Sequence, residues 1–177
     1  MTSGDSTSHG DIKVAYVNQD TLLKYYEFVK VNADKLESKA KSLEQQLTNR
    51  QQSLQREVNS YRTNVSNLTI GQAQAIEQDL QQKGQNLQMY EQQLAQELDT
   101  DRQRISQELY EKLTSFLKTY SKEKGIEVVL KIDRGSDMLY GGDAIDISKD
   151  VIAGLNEAWK AESVKTPAKG DTTKAKK

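Results

Sequence analysis

Apolar residues return along most of this chain at steps of three, four or seven. Leu36, Ala40, Leu43, Leu47, Leu54, Val58, Tyr61, Val65 and Leu68 form one series. Ala73, Ile76, Leu80, Leu87, Leu94, Leu98, Ile105, Leu109, Leu113, Phe116 and Tyr120 form a second. Each series lays one narrow apolar stripe along a helix, close to a coiled-coil seam. The step from Leu54 to Val58 breaks a strict heptad, so gentle or irregular supercoiling is expected. Between the stripes, Asn67-Leu68-Thr69-Ile70-Gly71-Gln72 reads as the tip of a helical hairpin. Asn67 is suited to close the first helix in the left-handed conformation. Thr69 with Gln72 matches a capping box, and Leu68 is placed to staple onto Ala73.

The two ends of the chain follow a different pattern. Residues 12–17 (IKVAYV) alternate as a short strand, and Asn18 then caps a helix that starts near Gln19. With that start, each helix of the hairpin has about 50 residues and a length of about 75 Å, so the hairpin should protrude as an arm. Lys122, Lys124 and Gly125 provide cations and a left-handed stop for the second arm helix. Residues 126–132 (IEVVLKI) read as a strand, 133–136 as a turn and Met138-Leu139-Tyr140 as a second short strand. Ser148 is placed to cap a last helix, stapled by Ile147 and Ile152, that runs through Leu155 toward Trp159. Residues 1–10 and 161–177, the latter rich in lysine, read as disordered tails.

Strands this far apart in sequence pair only if the hairpin returns its end to its start. The expected fold is therefore α+β: a small β-body from residues 11–18 and 125–160, carrying a long protruding antiparallel helical hairpin, a coiled-coil arm, at 19–124. About sixteen strand residues cannot bury a self-sufficient core. The bodies should complete one another in an oligomer, through Ile12, Val14, Tyr16, Ile126, Val128, Leu130, Leu139 and Tyr140.

Composition supports the helical reading and narrows the function. Seventeen of the eighteen glutamines lie between Gln45 and Gln107, in company with Glu, Lys, Leu, Ala and Arg, all good helix formers. The one proline is Pro167, so nothing from 11 to 161 carries a proline break. Only 35% of the 177 residues are hydrophobic, too few for a large compact core. With mean hydropathy at −0.81, no stretch approaches the roughly 20 apolar residues of a membrane span. A net charge of −1 argues against a protein built as a whole to grip nucleic acid. Without cysteine there is neither a disulfide framework nor thiol chemistry. No basic segment followed by an apolar run reads as an intact secretory signal.

The terminal motifs carry a resemblance. Lys13-Val14-Ala15-Tyr16-Val17-Asn18 with Leu22-Leu23 resembles the opening strand and helix start of the Skp/OmpH family of periplasmic outer-membrane-protein chaperones. Residues 126–130 (IEVVL) resemble the family's strand after the arms. Leu139-Tyr140, Asp146-Ile147-Ser148, Val151 and Leu155-Asn156 resemble its closing segment. The resemblance covers roughly Ile12 to Asn156, and its specific part is the two ends. It implies a jellyfish-like homotrimer whose arms surround a cavity where unfolded outer-membrane proteins are held without nucleotide hydrolysis. It also implies a periplasmic location, a signal peptide already removed, and transient contact with a membrane surface. Basic arm tips known in relatives are missing, since Arg62 stands against Glu77 and Asp79.

Candidate chemistry is sparse. His9 is the sole histidine and lies in the leader, so a histidine-based triad or metal site has no support. Gly141-Gly142 reads as a turn rather than a phosphate cradle. Asp133, Asp137, Asp143 and Asp146 lack the spacing of a calcium loop. Asn64 and Asn67 begin short glycosylation-type triplets that serve equally as caps. Tyr25, Tyr26 and Phe28 should pack against Phe116 and Tyr120 at the arm root, and Trp159 should anchor the last helix. No catalytic residue, cofactor or metal is therefore expected. Tyr61, Val65, Leu68, Ile70, Ile76, Met89 and Tyr90 fall off the seam or near the tip. They offer scattered apolar contacts to an unfolded client on a surface whose glutamine amides can also hydrogen-bond its backbone. An ATP-independent holdase is the leading expectation. The alternative is a structural adaptor whose arms space a folded partner. A prefoldin-like arrangement is rejected because here the strands flank the helices.

Overall fold

The computed structural model describes residues 12–165. His9, Pro167, the leader and most of the lysine-rich tail lie outside the described residues. The element order is β1 (Val14–Asn18), α1 (Gln19–Tyr25), α2 (Glu27–Asn64), a 3-10 turn (Val65–Asn67), α3 (Ile70–Lys124), β2 (Val128–Ile132), a second 3-10 turn (Asp143–Ile145) and α4 (Ser148–Lys165). The fold is α+β, with very long helices and a two-stranded sheet. It divides into two compact units, one formed by the residues up to Val31 with those from Gln107 onward, the other by Asn32–Ser106.

The Asn32–Ser106 unit is an antiparallel helical hairpin. Every member of the two apolar series inside it is partly or fully covered, except Val65. Leu94 is the most deeply buried. At the tip, α2 tightens into the 3-10 turn, and the Leu68 amide donates to the Val65 carbonyl at 3.2 Å. The left-handed close expected at Asn67 does not occur, for among the described residues no side-chain-bearing residue has a positive φ. Tightening the last turn satisfies the orphan carbonyl without the cost a Cβ meets in that region. The capping box forms in both directions. The Thr69 amide donates to Gln72 Oε1 at 3.0 Å, and the Gln72 amide donates to Thr69 Oγ1 at 3.3 Å. Thr69→Ala should therefore cost about 1 kcal/mol, read as a lower midpoint of helix melting at 222 nm.

In the other unit β1 and β2 pair in parallel, with Val14 opposite Val128, Tyr16 opposite Leu130 and Asn18 opposite Ile132. Parallel pairing needs a long crossover, and residues 19–127 supply it. Asn18 ends the strand and caps α1, its Oδ1 accepting the Thr21 amide at 2.9 Å. Gly125, at φ +66°, closes α3, and the Ile126 amide donates back to the Ser121 carbonyl at 2.9 Å. This is the position where glycine's freedom matters. The core of the unit consists of Ala15, Tyr16, Val17, Leu22, Tyr26, Phe28, Val151, Ile152 and Leu155.

Three further details differ from the sequence expectation. The first arm helix is broken at Tyr26, whose backbone is extended and whose ring is buried. Asn156 spans the break. Its Nδ2 donates to the Tyr25 carbonyl at 3.1 Å, and its Oδ1 accepts the Glu27 amide at 2.8 Å. Ser148 does not cap its own helix. Its buried hydroxyl accepts the Asn18 amide at 2.8 Å and donates to the Asp146 carboxylate, so it ties α4 to the end of β1. Finally, residues 138–140 form no strand. The second edge of β1 is taken near Tyr16, by a bridge to Asp146 and by the Ile147 amide donating to the Tyr16 carbonyl at 3.1 Å. Leu139 and Tyr140 stand 94% and 83% exposed. The chain then passes over the Tyr16 ring, whose hydroxyl donates to the Gly141 carbonyl at 3.1 Å. A Cβ at Gly141 would lie 2.3 Å from that ring, so glycine permits the close passage.

Candidate functional site

The hairpin seam is not purely apolar. The Lys39 ammonium lies 2.6 Å from both Glu97 and Asp101, and Arg104 reaches Asp101 at 3.2 Å. Hydrogen bonds from Lys39 and then Arg104 hold the Asp101 carboxyl below its ordinary range. Nearer the tip, Lys83 bridges Asp79 and Glu57 at 2.7 and 2.6 Å. Hydrogen bonds to Asp79 and then Glu57 push its pKa up to about 12. Between these layers Tyr90 donates to Gln46 Oε1 at 2.9 Å, while the Arg50 guanidinium sits 4.1 Å from its ring centre.

The Lys39–Asp101 pair makes the hairpin acid-sensitive, with a definite sign. The folded pKa of Asp101 lies below its unfolded value, so its contribution is present at neutral pH and is lost as acid is added through the lowered value. Hairpin melting should fall as pH drops below about 4, the unperturbed Asp range. Asp101→Asn should flatten that slope, as thermal melts across a pH series will show.

The seven residues expected to touch a client separate into two groups. Tyr61, Leu68 and Ile76 come together with Leu80 along a shallow groove of about 360 Å³ near the tip. The Tyr61 hydroxyl donates to Glu77, and Tyr90 lies half-covered beneath Arg50. These four residues serve the hairpin's own packing. Val65, Ile70 and Met89 point outward, 40%, 81% and 59% exposed. Residues 63–76 carry no charged side chain. The tip is thus a neutral surface with protruding apolar groups.

The sheet-bearing unit shows a second apolar surface. Ile12, Val14, Val128 and Leu130 are exposed, and Ile126 lines a recess beside Ile12, Val14 and Ile145. Among the described residues the outer edge of β2 has no strand partner. A two-stranded sheet with an open edge and an exposed apolar face is a ready template for another chain. Leu139 and Tyr140 add to the exposed set. Tyr16 does not, because its ring is buried in the unit's own core.

The aromatic root expected at Tyr26, Phe28, Phe116 and Tyr120 also takes in Trp159, whereas Tyr25 is 49% exposed. Tyr26 stacks on Phe28 at 5.6 Å, Trp159 meets Phe28 edge-on at 5.3 Å, and Phe116 stacks on Tyr120 at 5.7 Å. They do not close completely, and a groove of about 600 Å³ remains. Among the described residues no cluster of His, Asp or Glu is arranged to hold a metal ion. No described helix is long and apolar enough to cross a membrane.

Together these features define an α+β protein that couples a minimal parallel sheet to a long helical hairpin. The chain belongs to the OmpH-like outer membrane protein family, whose model, "Outer membrane protein (OmpH-like)", matches residues 13–155. Its fold is similar to a crystal structure from Caulobacter crescentus CB15 described as an OmpH-like outer membrane chaperone. That likeness has a TM-score of 0.74 at 18% identity, over 84% of this chain and 86% of the other. No match to a curated protein was found.

Proposed function

We propose that the protein is an ATP-independent periplasmic holdase, which binds unfolded outer-membrane proteins and keeps them from aggregating in transit. The observation that carries this reading is a glutamine-rich hairpin bearing isolated outward apolar residues, Val65, Ile70 and Met89, in a chain of the OmpH-like family. Each such contact is weak, and an unfolded chain offers many partners for it. Several hairpins held together at the sheet-bearing units, as a homotrimer, would raise the effective concentration and turn weak contacts into firm holding. In this reading residues 19–124 act as the arm, clients occupy the space between arms, and the faces around Val14, Val128 and Leu130 join the copies. A binder that prefers the unfolded form lowers the population free to aggregate.

The test is dilution of a urea-unfolded outer-membrane barrel into buffer with the protein present. Turbidity should be suppressed at stoichiometric amounts, equally with and without ATP, and for several unrelated barrels. A requirement for ATP, or activity toward one folded partner alone, would overturn the proposal.

A further inference from the structure

The groove at the aromatic root has a chemistry of its own. Tyr26, Phe116, Leu155 and Trp159 provide apolar walls, and Glu111, Glu123 and Glu162 line it as well. At about 600 Å³ it falls within the size range of ligand sites. Its one cation, Lys112, is already engaged. The Lys112 ammonium lies 2.6 Å from Glu162 and 5.7 Å from both the Phe28 and Trp159 ring centres. The other carboxylates lack such partners. Glu111 accepts a 3.0 Å hydrogen bond from Gln107 Nε2, and among the described residues no cation pairs with Glu123. The lining therefore presents three carboxylates against one ammonium, above aromatic and aliphatic walls.

We infer that this groove is a docking site for a basic peptide segment of a partner protein, with an apolar side chain between Phe116, Leu155 and Trp159 and a Lys or Arg beside Glu123 and Glu111. Charge complementarity selects the occupant. An acidic or neutral apolar segment would leave two carboxylates facing it uncompensated, whereas a cation on an apolar stem satisfies both parts of the lining. Lys112 displays the same pattern inside the chain, an ammonium over aromatic rings closed by a carboxylate. The site belongs to the sheet-bearing unit and does not rest on the holdase reading.

Trp159 is the only tryptophan, so its emission reports on the groove directly. The full chain is titrated with a short synthetic peptide alternating Lys with Leu, and separately with one alternating Glu with Leu. The lysine peptide should produce a saturable change in emission and the glutamate peptide none. Glu123→Lys, on an exposed position in the last turn of α3, should weaken binding about tenfold or more while leaving helicity unchanged. Ala158→Leu, which fills the groove, should abolish it. Absence of a saturable change, or equal binding of both peptides, would overturn the proposal. So would an emission change that tracks the chain's own concentration, which would place a second copy in the groove. Binding that appears only after residues 166–177 and their four lysines are deleted would assign the groove to that segment and overturn it as well.

Discussion

Phe28→Ala should lower the stability of the sheet-bearing unit by about 3–5 kcal/mol, the usual cost of emptying a large aromatic site in a core. Phe28 is 2% exposed and lies where the unit's helical elements meet. It stacks on Tyr26, receives the edge of Trp159 and lies beneath Lys112. Its loss leaves a cavity with aromatic walls and withdraws a π-face from the ammonium, and the short strands have little other core to share the strain. The stability of a small unit is of the same order as this loss, so the sheet should melt at or near room temperature. Urea unfolding followed by Trp159 emission reads the effect at the site itself. Phe28→Leu, which keeps most of the volume, should cost well under half as much.

Val128→Asp combined with Leu130→Asp should have the largest effect on the proposed activity. Both side chains are exposed on β2, at 41% and 42%, so neither supports the core of a single chain. If copies meet at this face, the double variant puts two carboxylates into an apolar contact with no cation to match them, which is strongly unfavourable. Light scattering should show the mass fall to that of one chain while the helical signal at 222 nm is retained. Since holding depends on several hairpins acting together, the protein needed to suppress aggregation should rise about a hundredfold or more. An oligomer that survives the substitution would move the association surface elsewhere.

What could be read from the chain alone follows the range of the interactions. Asn18, the Thr69–Gln72 box and Gly125 were legible because each depends on neighbours within a few residues, where backbone geometry alone sets the choice. The stripes were legible because a helix repeats its covered face whatever covers it. Tyr26 was not, for no glycine or proline marks the break there. The groups it frees are satisfied by Asn156, about 130 positions away, which bonds the backbone on either side of the kink. Ser148 was misplaced for the same reason, its partner being Asn18 at the other end of the chain. Residues 138–140 have strand-forming side chains yet pair with neither strand, and the contact with the second edge of β1 is made instead by Asp146 and Ile147.

The candidate surface was legible only in part. Ile70 and Met89 lie off the apolar stripes, and both are exposed. Tyr61 and Tyr90 also looked available, since a tyrosine gives no local sign that its hydroxyl is engaged across a seam. Their partners, Glu77 and Gln46, lie on the opposite helix of the hairpin. Tyr16 was assigned to association along with Val14, which shares its strand face, although the passing chain at Gly141 covers its ring.

The most direct measurement is size-exclusion chromatography with light scattering on the protein mixed with a urea-unfolded outer-membrane barrel, diluted without nucleotide. The account predicts one soluble species that contains several copies of this chain and one barrel polypeptide still open to protease. It would be contradicted if the barrel pelleted as it does alone while this chain eluted unchanged.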